Sequence, residues 1–140
     1  MFKKFFKNKK KESIDNNNIL IIALLVHAAK IDENYTDLEK KLITNAIIQL
    51  NSISIVEAKK LLEKAEKKEN DSNQIIEFTK EVKKYPIDFR LKIIEIIWKI
   101  VYSDGNSDSY ESNLIRRICG LLYISDKDNG IIKMKVKNLL

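Results

Sequence analysis

The chain repeats one of its own segments, and this repeat constrains the possible folds more than any other sequence feature. Residues 29–39 align with residues 101–111 at a constant offset, and the apolar positions that follow the two segments also coincide. The matched polar residues are Asp32 with Asp104, Asn34 with Asn106, and Glu39 with Glu111. Similarity at a fixed offset indicates a structural unit that occurs twice. We interpret the unit as a helix, an acidic turn and a second helix.

Composition indicates the fold class. Three glycines and one proline among 140 residues are too few for the tight turns of a β-sheet protein. Hydrophobic residues make up 44% of the chain, which is enough to form the core of one domain of this length. The sequence therefore predicts a single all-α domain.

Capping boxes mark the helix starts. In these motifs a short polar residue is followed three positions later by Glu or Gln. They begin at Thr36, Ser54, Asp71 and Asp108, with a weaker version at Ser125. With the apolar periodicity, they predict helices near residues 17–31, 37–52, 55–70, 72–85, 88–103, 109–122 and 126–138. This is a seven-helix bundle built from two three-helix pseudo-repeats, with the helix at 72–85 joining them.

The first helix of each unit is expected at the centre of the bundle. Residues 19–29 contain no charged side chain, and residues 93–101 contain only Glu95 and Lys99. Helices that are apolar on nearly all sides are usually buried. We therefore expect the other helices to pack around these two.

The net charge of +6 is concentrated at the N-terminus. Residues 1–12 hold six lysines, three phenylalanines and one acid, so the rest of the chain is close to neutral. We divide the chain into a basic flexible arm at 1–16 and a helical domain at 17–140. Two interpretations of the arm stay open: a solubilising tail, and a weak contact of residues 1–12 with anionic lipid. A nearly neutral domain is not expected to bind nucleic acid.

The sequence predicts a cytoplasmic protein. Its single cysteine, Cys119, has no disulfide partner within the chain, which is typical of a reducing compartment. The uncharged run at 19–29 is shorter than the ~20 apolar residues that a transmembrane helix needs. If the arm contacts lipid, the protein lies at the inner face of the membrane.

The acidic turns have the side chains of a divalent cation site. Calcium prefers several oxygen ligands on a short loop that precedes a helix carboxylate. The second turn offers oxygens at alternate positions, with Gly105 easing the bend, whereas the first turn has Glu33 in place of the glycine. The candidate ligands are Asp32, Asn34, Glu39, Asp104, Asn106, Asp108 and Glu111. Calcium is the cation that this set favours.

Helix capping is the alternative explanation of the same residues. It accounts for Glu39, Asp108 and Glu111 without any ion. It does not account for Asp32 and Asp104, which lie where the preceding helices end. A carboxylate there faces the negative end of the helix dipole, which costs roughly 0.3–1 kcal/mol. A cation, a lysine or backbone N–H groups would offset that cost.

The chain has few groups for catalysis. One cysteine, one histidine and three glycines allow no nucleophilic triad, zinc cluster or phosphate-binding loop. A hydrolase that uses the paired carboxylates as acid and base would require the two turns to meet in a concave pocket. We predict a protein that is not an enzyme.

Four motifs resemble the tellurite-resistance TerB-like family, which includes the N-terminal domain of the DjlA co-chaperone. They are Ala29-x-x-Asp32-x6-Glu39, Glu95-x-x-Trp98-x-x-Val101-Tyr102-Ser103-Asp104-Gly105, Glu111-x-x-Leu114-Ile115-Arg116-Arg117 and Ile124-Ser125-x-Lys127-Asp128. The resemblance covers roughly residues 17–137. It implies an all-helical fold, metal-binding acids at Asp32, Glu39, Asp104 and Glu111, and a link to stress responses and membrane-associated complexes. We therefore expect an interaction module that acts through a protein partner, whose identity the sequence does not give.

Overall fold

The computed structural model describes residues 11–31, 34–104 and 109–139, with side chains described from residue 18 onward except those of 104 and 109–111. These residues form seven α-helices and no strand, which confirms the all-α prediction. The helices are α1 (Lys11–Ala29), α2 (Asp37–Asn51), α3 (Ile55–Asp71), α4 (Ile76–Val82), α5 (Ile87–Val101), α6 (Ser109–Leu121) and α7 (Asp126–Asn138). A short 3-10 turn at Tyr102–Asp104 follows α5.

Two predicted helix starts are wrong. The first described helix extends back to Lys11, six residues before the predicted start. The sequence does not predict this extension, because the polar residues there show no apolar periodicity. The predicted capping box at Asp71 does not form, because Asp71 is the last residue of α3. The fourth helix begins only at Ile76, without a side-chain cap. The arm predicted at 1–16 stays a prediction, since residues 1–10 lie outside the described part of the chain.

The expectation that α1 and α5 are central is confirmed. The central helix α1 packs against α2, α3, α4, α5 and α6. Every residue from Ile21 to Val26 is at most 1% exposed, and Ile93 to Trp98 are all buried. Burying one large apolar side chain contributes about 1.5–3 kcal/mol. The two helices therefore supply the largest part of the core.

The connections from α2 to α3 and from α6 to α7 have the same construction. Each contains one residue with left-handed backbone, Ser52 at φ 56° and Tyr123 at φ 57°. An isoleucine and a serine follow in both, and the hydroxyls of Ser54 and Ser125 accept from the backbone N–H three residues later, at 3.2 Å and 3.1 Å. Ser52 and Ser54 lie 71 residues before Tyr123 and Ser125, one fewer than the 72 that separate Asp32 from Asp104, so the second connection is one residue shorter. The duplication of a whole three-helix unit stays a prediction.

An ionic cluster joins α5 to α7. The buried carboxylate of Glu95 accepts from Lys135 of α7 at 2.9 Å and from Lys92 at 3.1 Å, and the Lys99 ammonium lies 3.2 Å away. Burial by itself would raise the pKa of Glu95, but the hydrogen bonds from the three lysines outweigh it and lower the pKa to about 2. Beside the cluster, the Nε1 of Trp98 donates to Asn129 of α7 at 2.9 Å.

We expect replacement of Ser52 by glycine to stabilise the fold by about 0.5–1 kcal/mol, because glycine adopts the left-handed conformation without steric cost. Urea unfolding would measure the change. The control is Ser52→Ala, which removes the same hydroxyl but keeps the Cβ. Equal stability of the two variants would contradict a backbone cause.

We expect Glu95→Gln to lower the free energy of unfolding by about 1–2 kcal/mol at pH 7. Water around the partly exposed lysines screens their charges and keeps this effect small. A carboxylate whose pKa is lowered by folding stabilises the native state above its unfolded pKa. That contribution is lost as the pH falls from about 5 towards 2. Denaturation across this range should therefore show the two proteins converging in acid. The exposed Glu63→Gln is the control, and a constant difference down to pH 2 would refute the ionic origin.

Candidate functional site

The structure describes part of the predicted cation site. Asn34 and Glu39 of the first turn are fully described, and Asp32 lies outside the described residues, as do Asn106 and Asp108 of the second turn. Only the backbone is described for Asp104, which ends the 3-10 turn, and for Glu111, which lies in the first turn of α6. Among the candidate ligands, side chains are therefore described only in the first turn, for Asn34 and Glu39.

Glu39 forms the predicted capping box with Thr36. Its Oε1 accepts from the Thr36 backbone N–H at 2.8 Å and from the Thr36 hydroxyl at 3.1 Å. The Thr36 hydroxyl in turn accepts from the Glu39 backbone N–H at 3.1 Å. Capping alone thus explains why Glu39 is only 5% exposed and why this oxygen is positioned at the start of α2.

Tyr35 brings the first turn against α3. Burial raises the pKa of its hydroxyl, and the carboxylates of Glu66, Glu39 and Glu69 raise it further through their negative charge. The Lys40 ammonium lies 5.0 Å from the centre of the Tyr35 ring. Tyr35, three residues after Asp32 in the sequence, therefore lies near acids from both α2 and α3. We call these residues (Tyr35, Glu39, Glu66 and Glu69) the Tyr35 corner.

Two basic residues near the end of α1 bind one of these acids. The Nζ of Lys30 donates to Oε1 of Glu69 at 2.8 Å, and Nδ1 of His27 lies 3.1 Å from Oε2. Burial would raise the pKa of Glu69, but the hydrogen bonds from Lys30 and His27 lower it overall. The side chains of His27 and Glu69 are only 31% and 11% exposed, so their contact fixes the end of α1 on α3.

The donor chemistry of the Tyr35 corner fits a hard divalent cation. Its acids offer carboxylate oxygens, and Asn34 adds an exposed amide in the same turn. Across the described ranges, however, no three His, Cys, Asp or Glu side chains are close enough to hold a metal by themselves. A complete ligand set would have to include residues outside those ranges, with Asp32 the nearest in sequence.

The resolved pKa shifts of the described thiol and carboxyl groups are opposite to those that a catalytic thiolate or a carboxylic acid donor would need. Burial, followed by the charge of Asp126, raises the pKa of the Cys119 thiol to about 12, which keeps it protonated. The described carboxyl groups with resolved shifts are Glu69, Glu77 and Glu95, and each has a lowered pKa. A hydrolase would need a carboxyl group with a raised pKa as its proton donor.

Sequence reasoning missed Glu66 and Glu69 as neighbours of the first turn. They are on α3, more than 30 residues after Tyr35, and belong to a helix whose exposed face is full of Lys and Glu. No local pattern distinguishes them from ordinary surface acids. His27 lies on the side of α1 that faces Glu69 and keeps 31% of its side chain exposed.

Comparison with known proteins identifies the family. Within the described part of the chain, no helix combines the length and hydropathy that a bilayer crossing requires. Searches of the curated proteins and of the solved structures gave no match. The family model for tellurite resistance protein TerB matches residues 18–134, which is most of the chain and includes α2 to α6 entirely. The chain belongs to the TerB family.

Proposed function

We propose that this protein is a TerB interaction module that binds a divalent cation at its acidic turns and acts through a protein partner. TerB domains form a family of non-enzymatic helical domains. The observation that carries the proposal is the Tyr35 corner, where carboxylates from α2 and α3 lie beside the turn that contains Asp32.

The charge balance of the corner supports a bound cation. The three carboxylates of Glu39, Glu66 and Glu69 stand against the ammonium groups of Lys30 and Lys40. The sequence adds two more acids, Asp32 and Glu33, between Ile31 and Asn34. A divalent cation would reduce the repulsion among these groups and would offset the dipole cost of an acid at the end of α1.

Ligand roles follow from chemistry and chain position. In the first turn, Asp32, Asn34 and Glu39 would bind the ion. In the second turn, Asp104, Asn106, Asp108 and Glu111 would do so. The ion would order each turn between its two helices, and calcium is the first candidate because the donors are all oxygens.

The partner and the process are proposed from the family. We propose a cytoplasmic role in a stress response, as the family description as a tellurite resistance protein suggests. Binding of a cation would then prepare the turns, or the helices that flank them, for contact with a partner protein.

We expect calorimetry to detect calcium binding that the paired variant Asp32→Asn/Asp104→Asn abolishes, because each amide replaces a charged ligand of one turn. The matched control is Asp88→Asn/Asp126→Asn, which removes two exposed acids from the first turns of α5 and α7. Magnesium titrated in parallel tests ion preference. Absence of calcium binding, or equal binding by the Asp32/Asp104 variant, would overturn the cation site.

A second candidate function is reversible contact with an anionic membrane through the N-terminal arm. One surface groove favours it: Ile19 and Leu20 of α1 lie beside Lys64, Lys67 and Lys68 of α3. Of these lysines, Lys68 is paired with Glu77 at 2.8 Å. Residues 1–10 precede α1 directly in the sequence, so their five lysines would add to this surface at about 1 kcal/mol each.

We expect deletion of residues 1–10 to reduce sedimentation with phosphatidylserine vesicles, because five lysines and most of the net positive charge of the chain are lost. Phosphatidylcholine vesicles provide the uncharged control. Unchanged sedimentation of the shortened protein would exclude the arm as the membrane contact.

A further inference from the structure

The last helix, α7, gains little from burial. Of its 13 residues only Val136 is buried, and Ile132 is partly buried against the core. Ile131 and Met134 are 57% and 51% exposed. The outer helix α3, by comparison, buries three apolar residues. Because most of the stability of a surface helix comes from the packing of its apolar face, α7 is held less firmly than α3.

Polar contacts attach both ends of α7 to α5. Near the start of α7, Asn129 accepts from Nε1 of Trp98 at 2.9 Å. Near its end, Lys135 donates to Glu95 at 2.9 Å. Between them, the Lys133 ammonium lies 5.2 Å from the centre of the Trp98 ring. Water can replace each of these contacts when the helix leaves, so their net contribution to the closed state is modest.

Gly130 weakens α7 near its middle. A glycine inside a helix is less favourable than an alanine, because its backbone loses more conformational freedom when the helix forms. Packing within the described part of the chain does not require a glycine here. A Cβ at this position would have no heavy atom within 4 Å, apart from the backbone of its own helix. Gly130 therefore favours release of α7 and does not improve its packing.

Trp98 of α5 lies beneath α7. Its side chain is 1% exposed and contacts both Asn129 and Lys133. Departure of α7 would open this side of α5 to solvent, while α5 still packs against α1. A helix of 13 residues is only marginally stable on its own in water, so α7 would unfold as it leaves.

We propose that α7 is a releasable strap, which leaves α5 as one unit while the other helices stay folded. Its release uncovers Trp98 and the Glu95 carboxylate, so the strap controls access to this side of α5. This proposal goes beyond the proposed cation and membrane roles and depends on neither of them.

The test is native-state hydrogen exchange of the full-length protein, followed by NMR in EDTA at urea concentrations below the unfolding transition. We expect amides in both halves of α7 to share one opening equilibrium, with a constant at least about tenfold larger than that of the α5 amides. The indole N–H of Trp98 should exchange through the same opening, because its acceptor is Asn129 of α7. Trp98 is the only tryptophan, so its indole signal is unambiguous.

Two matched pairs of variants test the contacts named. Lys135→Gln should increase the opening of α7 about threefold, because it removes the contact with Glu95. Its control is Lys137→Gln, which removes a lysine of the same turn that is not among the three bound to Glu95. Gly130→Ala should decrease the opening about fivefold. Its control is Gly120→Ala in α6, an exposed position where a Cβ also has open space. Circular dichroism melts verify that each variant is folded.

The proposal is supported if both halves of α7 and the Trp98 indole share one opening, and if only Lys135→Gln and Gly130→Ala shift it in the stated directions. It is overturned if α7 and α5 exchange together, since α7 would then open only when the whole protein unfolds. It is also overturned if protection falls only towards the C-terminus while the indole stays as protected as α5, because that result is fraying of a helix end. Equal behaviour of the two members of each matched pair would overturn it as well.

Discussion

The burial of α1 determines the arrangement of the other helices. Six successive residues from Ile21 to Val26 are almost completely removed from solvent, so every side of this part of the helix must be covered. Helices α2 to α6 provide that cover. Of these, α5 is itself buried from Ile93 to Trp98, whereas a helix at the surface, such as α3, needs an apolar stripe on only one side. A charge within this segment would have no partner, and an unpaired buried charge is strongly unfavourable. The side chains that bind Glu69 of α3 therefore lie beyond this segment, at His27 in the last turn of α1 and at Lys30 just after it.

The acidic turn follows directly from that end. Tyr35, three residues after Asp32 in the sequence, lies near Glu66 and Glu69 of α3. The capping box orients Glu39 at the start of α2. The proposed cation site is thus an extension of a corner that packing has already assembled.

Ionic contacts link the first and third helices in both halves of the chain, but with different residues. In the first half Glu69 of α3 binds His27 of α1 and Lys30, which follows α1 directly. In the second half Glu95 of α5 binds three lysines, one of them from α7.

The sequence by itself determined the all-α class, the ends of most helices, the central position of α1 and α5, the capping box at Thr36 and the resemblance to the TerB family. These features depend on local rules: helical periodicity, cap chemistry and short motifs. Only the tertiary structure decided that Glu69 meets His27, that Tyr35 lies among three carboxylates and that Lys135 joins Glu95. The members of these groups are far apart along the chain, and each of them alone resembles an ordinary surface residue. They meet because the helices cross where their apolar stripes fit, and no local pattern encodes which charged side chains lie next to that crossing.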